Sequence, residues 1–68
     1  MNQDKFNMEV RKFLKQVGVT SQREIENAVE QAMASGAIKG AETLKARMTL
    51  EIGEVSLNWV VDGDIALE

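Results

Sequence analysis

Apolar residues recur along the first segment as Phe6, Val10, Phe13, Leu14 and Val17. At 100° per residue they fall within an arc of roughly 100°, the pattern of an amphipathic helix. Lys5, Arg11, Lys12 and Lys15 gather on the opposite side, and Met8 lies among them. Asn2 or Asp4 offers a side-chain oxygen to cap the start, and Gly18 follows Val17 where a left-handed C-terminal cap would end the helix. Ser21-Gln22-Arg23-Glu24 reads as a capping box that opens a second helix, its hydroxyl and carboxylate each accepting an otherwise orphan backbone N–H. Ile25, Ala28, Val29, Ala32 and Met33 give this helix an apolar stripe over roughly 140°, and Ser35-Gly36 supplies its stop.

Ala37 to Lys45 follows neither period and reads as a crossover loop. From Ala46 the period becomes two: Met48, Leu50 and Ile52 alternate with Arg47, Thr49 and Glu51, and Val55, Leu57 and Trp59 alternate with Ser56 and Asn58. Gly53-Glu54 between these runs suits a two-residue type II′ hairpin turn. Such a turn sets Ile52 opposite Val55, Leu50 opposite Leu57 and Met48 opposite Trp59. Asp62-Gly63 signals another turn before Ile65-Ala66-Leu67. A three-residue loop, Val61-Asp62-Gly63, keeps Ile65 and Leu67 on the apolar face by pairing Trp59 with Ile65 and Leu57 with Leu67. The expected fold is a single small α+β domain over residues 1–68, with two N-terminal helices packed on a C-terminal three-stranded antiparallel β-meander. Trp59, on the central strand, would fill the core beside Met48 and Ile65.

Length and composition narrow the chemistry. With 68 residues there is room for one domain, and hydrophobic and charged fractions of 44% and 28% are those of a chain that folds. A domain this short has modest stability or shares it with a partner. The sequence contains no Cys, His, Tyr or Pro, which removes disulfides, thiolate chemistry, zinc sites built on Cys or His, and imidazole catalysis. The hydroxyls of Ser21, Ser35, Ser56, Thr20, Thr43 and Thr49 have no base spaced to activate them. Asp62-Gly63-Asp64 lacks the further alternating ligands of a calcium loop and reads as turn chemistry. No catalytic residue, cofactor or metal is therefore expected, and the protein reads as non-enzymatic.

Net charge is −3, and it is segregated: residues 1–47 carry all eight cations against six acids, while residues 48–68 carry five acids and no cation. A winged-helix reading, with the second helix in a DNA groove, is opposed by Glu24, Glu26 and Glu30 on that helix. Single-strand binding through Trp59 is opposed by the absence of basic residues on its strand. The sequence has neither a basic-then-apolar leader nor a run of 18 apolar residues, so a soluble cytoplasmic protein with no membrane partner is expected.

The run Lys12 to Glu26 (KFLKQVGVTSQREIE), followed by Met48-Thr49-Leu50-Glu51-Ile52 and Val60-Val61-Asp62-Gly63-Asp64-Ile65, resembles a family of short bacterial proteins known as a domain of unknown function. The likeness spans nearly the whole chain and rests on structural motifs. It implies a small stand-alone bacterial protein and brings no catalytic residue, cofactor or partner with it.

The reading that remains is a protein–protein interaction module, binding another protein or itself. Its expected contact surface is the basic side of the first helix, Lys5, Met8, Arg11, Lys12 and Lys15, and the first strand, Ala46 to Ile52, offers a free edge. The alternative is an accessory protein that contacts nucleic acid through the same basic face.

Overall fold

The computed structural model describes residues 1–68, as one long helix followed by a two-stranded antiparallel hairpin. Helix α1 runs Gln3–Ser35, strand β1 Thr43–Ile52, a 3₁₀ turn Gly53–Val55, and strand β2 Leu57–Ala66. The α+β composition agrees with the sequence reading, whereas the two helices and the three-stranded meander are replaced by simpler elements.

Helix α1 begins at Asn2, whose Oδ1 accepts the Lys5 N–H at 3.0 Å and whose carbonyl accepts the Phe6 N–H at 3.0 Å. It ends at Ser35, where Gly36 takes a φ of +79° and supplies the left-handed cap. Between them the expected break at Gly18–Thr20 does not occur. Gly18 is not among the positive-φ residues, and Thr20 Oγ1 bonds back to the Gln16 carbonyl at 2.9 Å inside the helix. With the backbone N–H groups around Ser21 already bonded within the helix, the Ser21–Glu24 capping box has no orphan donors to satisfy.

A break would leave four unsatisfied groups on each new end, while Gly in a helix interior costs only about 1 kcal/mol. The side-chain spacing favours continuity as well. Phe6, Val10, Leu14, Val17, Ser21, Ile25, Ala28 and Ala32 follow one another at steps of four, four and three. This pattern repeats about every 11 residues, or about 3.67 per turn, and stays on one side of an uninterrupted helix. The two stripes seen in the sequence are thus two lengths of a single row.

The hairpin starts earlier than Ala46. Thr43, Leu44 and Lys45 belong to β1, since Leu44 and Ala46 continue the alternation of Met48, Leu50 and Ile52. Its turn is also different. Gly53 does not take the positive φ a type II′ turn requires; the chain makes a 3₁₀ turn over Gly53–Val55, and Ser56 enters the left-handed region at φ 56°, ψ 35°, donating its N–H to the Gly53 carbonyl at 3.1 Å. A longer turn moves every partner by two positions. Leu50 now faces Trp59 and Ile52 faces Leu57, in place of Leu57 and Val55, while Met48 faces Val61 in place of Trp59.

No third strand forms. β2 passes straight through Asp62-Gly63-Asp64, because Asp62 meets Arg47, Gly63 meets Ala46 and Asp64 meets Lys45 across the ladder. Ile65 then pairs with Leu44, and the ladder closes with the Leu67 N–H on the Glu42 carbonyl at 3.0 Å. An Asp-Gly pair whose carboxylate has a cation opposite it is held extended, and the local turn preference of Asp-Gly is overridden.

Because a shift of two preserves the face of every side chain, the hairpin remains amphipathic. One face carries the pairs Leu44–Ile65, Ala46–Gly63, Met48–Val61, Leu50–Trp59 and Ile52–Leu57; the other carries Thr43–Ala66, Lys45–Asp64, Arg47–Asp62, Thr49–Val60 and Glu51–Asn58.

The chain divides into two compact units, Met1–Ser35 and Gly36–Glu68. In neither unit is any side chain buried, and the expected core around Trp59 is absent: Trp59 is 61% exposed. A two-stranded hairpin has no second layer of its own, and an isolated ribbon of that kind is marginally stable in water.

Candidate functional site

Lys5, Met8, Arg11, Lys12 and Lys15 all lie in the N-terminal half of α1, within an arc of about 120° on a helix of 3.6 residues per turn. All five are exposed, Met8 at 58%. The chain's ion pairs lie elsewhere, in the hairpin, so none of these four cations has a carboxylate partner. Arg11 and Lys15 stand one turn apart and repel each other by a few tenths of a kcal/mol. The structure thus gathers the predicted residues into one exposed basic patch around a single methionine.

The larger surface was not singled out from the sequence as a site. It is the apolar face of the hairpin, where Trp59, Val61 and Met48 stand open to solvent. The signal for it was present in the period-two alternation, but covering that face with helices turned it into an expected core. A second open row runs along α1, where Phe13 is 50% exposed and Phe6 and Leu14 are similarly open.

The polar face of the hairpin is satisfied internally. Arg47 Nε donates to Asp62 Oδ1 at 2.7 Å, and Lys45 Nζ lies 2.9 Å from Asp64 Oδ1. Residues facing each other on this side alternate with the ladder-bonded pairs, so their side chains approach closely, which favours such contacts. Between the two ion pairs lies an open depression of about 380 Å³, lined by Lys45, Ala46, Arg47, Asp62, Gly63 and Asp64. Each of its charges already has an opposite charge in contact. The carboxylates considered for a metal, Asp62 and Asp64, are engaged in these pairs, and no three acidic side chains converge.

One further carboxylate organises the segment that leads into β1. Glu42 accepts the backbone N–H groups of Lys39 at 2.7 Å, Gly40 at 2.8 Å and Ala41 at 3.1 Å, with Gly40 at a φ of +101°. The bond from Lys39, ahead of the others, holds the Glu42 carboxyl below its ordinary value of 4.5. A carboxyl whose folded-state pKa is depressed contributes stability that is present above the unfolded value and lost as pH falls through the folded one. Acidification below about pH 4.5 is therefore expected to loosen the turn before β1. Amide spectra of Lys39 to Thr43 should shift over that range in the native chain, and Glu42→Gln should abolish this part of the titration. An unchanged titration in E42Q would remove Glu42 as its source.

No helix of the chain is long and apolar enough to cross a membrane. The fold defines the molecule as a small α+β protein of one amphipathic helix and one amphipathic hairpin, with exposed apolar side chains on both. Over residues 1–68 it matches the model of a family of unknown function, DUF6494, and the chain belongs to that family. No curated protein matches the chain, and no solved structure does.

Proposed function

We propose that this chain is a non-enzymatic protein–protein interaction module, acting in the cytoplasm. The observation that carries the reading is that both elements have an apolar side and neither buries a single residue. Soluble monomers rarely leave contiguous apolar patches beyond about 300–600 Å² uncovered. Such surfaces mark contacts with other macromolecules. The sequence has neither imidazole nor thiol, which supports a binding role over a catalytic one.

The second reading, contact with nucleic acid, is favoured by the unpaired cations Lys5, Arg11, Lys12 and Lys15. It predicts a different dependence on salt. If all four met phosphates, log K would fall with log[salt] at a slope of about −3.6, since each neutralised phosphate contributes about −0.9.

A crosslinking amino acid at Val61 on the hairpin and another at Phe13 on α1 test the two readings in the living cell. Protein adducts of defined mass, unchanged by nuclease or high salt, are expected. Adducts that vanish with nuclease, together with loss of binding in the Lys12→Glu/Lys15→Glu variant, would overturn the module in favour of the nucleic-acid reading. The absence of any adduct at both positions would overturn it outright.

A further inference from the structure

We propose that the apolar face of the hairpin is a self-association surface, on which the hairpin of a second copy of this chain seats face to face, each Trp59 entering the notch between the other's Ala46 and Gly63. This rests on the interaction-module reading and names its partner. The notch follows from the register: Ala46 pairs with Gly63, and the rows on either side of it are the larger pairs Leu44–Ile65 and Met48–Val61.

Gly63 is unexplained within the chain. It lies in the interior of β2 without a positive φ, and a Cβ built on it meets nothing within 4 Å. Glycine weakens a strand interior and there commonly marks a place where another chain or a ligand comes close. The knob is also at hand, since Trp59 is the largest and most exposed side chain of the same face.

Their spacing makes the face complementary to itself. Trp59 and Gly63 each stand two residues from Val61, about 7 Å at the rise of an extended strand. A two-fold axis lying between the faces, crossing the strands at the Met48–Val61 pair, therefore carries each Trp59 over the other copy's Gly63. This is an isologous contact, made twice by the same patch, and it closes as a dimer.

Charge agrees with this occupant, and the extent of the face sets the strength of the contact. Every charged side chain of the two strands lies on the other face, so contact buries no unpaired ion. Met48, Ile52, Leu57, Trp59 and Val61 are 37–61% exposed on this face, and a patch carried by two ten-residue strands is small beside the roughly 1,200–2,000 Å² of specific, stable interfaces. A reversible dimer is the expected strength.

Sedimentation of the full chain from low to high micromolar concentration, with Trp59 emission read in parallel, tests the proposal. A monomer–dimer equilibrium is expected, with Trp59 emission moving to the blue as the dimer forms. Gly63→Val places a side chain in the notch, its Cβ meeting nothing within 4 Å in the chain itself, and should weaken dimerisation at least tenfold while the far-ultraviolet spectrum keeps its strand and helix signals. Val60→Ser, on the opposite face, should leave it unchanged. A monomer at every concentration with emission typical of exposed tryptophan would overturn the proposal. So would a monomer with blue emission even when dilute, which would mean that the chain covers its own face. A G63V dimer as tight as the native one, or a dimer weakened by V60S as much as by G63V, would also overturn it. In each of these cases salt-stable adducts to a different protein from Val61 would leave the interaction-module reading standing, so the two failures are separable.

Discussion

Gly18→Pro is expected to cut α1 in two and remove about 3 kcal/mol of helix stability, the penalty for proline in a helix interior. The ring takes away the N–H that bonds the Leu14 carbonyl and clashes with that same carbonyl. The segments left on either side, Gln3–Val17 and the remainder up to Ser35, are near the length at which isolated helices become marginal in water. A large loss of ellipticity at 222 nm should follow.

Gly18→Ala should move the opposite way, raising helicity by about 1 kcal/mol, because φ at Gly18 is helical and the added Cβ meets nothing within 4 Å. The sign is what discriminates. Were Gly18 a left-handed cap between two helices, alanine there would destabilise and proline would fall in a connection. A lower melting temperature for G18A would contradict the continuous helix.

The second large effect is a pair of opposite changes at Ser56, the one non-glycine residue with positive φ. Glycine at this position relieves the left-handed conformation, and Ser56→Gly should stabilise the hairpin by about 1 kcal/mol. A β-branched residue there is an outlier, so Ser56→Val should destabilise by about 1–2 kcal/mol. Hairpin melting followed by the amide signals of Leu50 and Trp59 would report both. With a two-residue turn at Gly53-Glu54, Ser56 would instead be an extended strand residue, and valine would help while glycine hurt. Stabilisation by S56V would thus return the register to Leu50 opposite Leu57.

How far the sequence could be read follows from the range of each signal. The helix start at Asn2 or Asp4, the stop at Gly36 and the alternation of β1 from Ala46 onward depend on a few neighbouring residues, and these were legible. Gly18 and the Ser21–Glu24 box are also local signals, and each is genuine in isolation. They lost because interrupting a helix leaves orphan groups on both new ends, a penalty that no short window of sequence displays. Asp62-Gly63 failed in a related way. Its turn preference is local, whereas Arg47 and Lys45, which hold it extended, lie 15 and 19 positions away along the chain.

For the candidate site, the basic patch around Met8 was legible because helical periodicity alone assigns residues to sides. The open hairpin face was legible in its composition but was read as the floor of a core, since nothing in the alternation of Met48, Leu50 and Ile52 says whether a covering layer belongs to the same chain. Burial is a property of the assembled molecule.

From the sequence alone follow the sides of the helix and, for Met48 to Ile52 and Leu57 to Trp59, the faces of the hairpin, because helical and extended backbones impose periods of 3.6 and two on any register; Leu44, Val61 and Gly63, read as loop residues, joined that face only in the folded ladder. The sequence also determined the absence of imidazole and thiol chemistry. That the helix is single, that the ladder is set two positions further along and that the apolar side chains are exposed emerged only on folding. A shift of two leaves every side chain on its face, so the hydrophobic pattern is blind to it. The choice fell to the turn at Ser56 and to Arg47–Asp62 and Lys45–Asp64, contacts that exist once the strands have met.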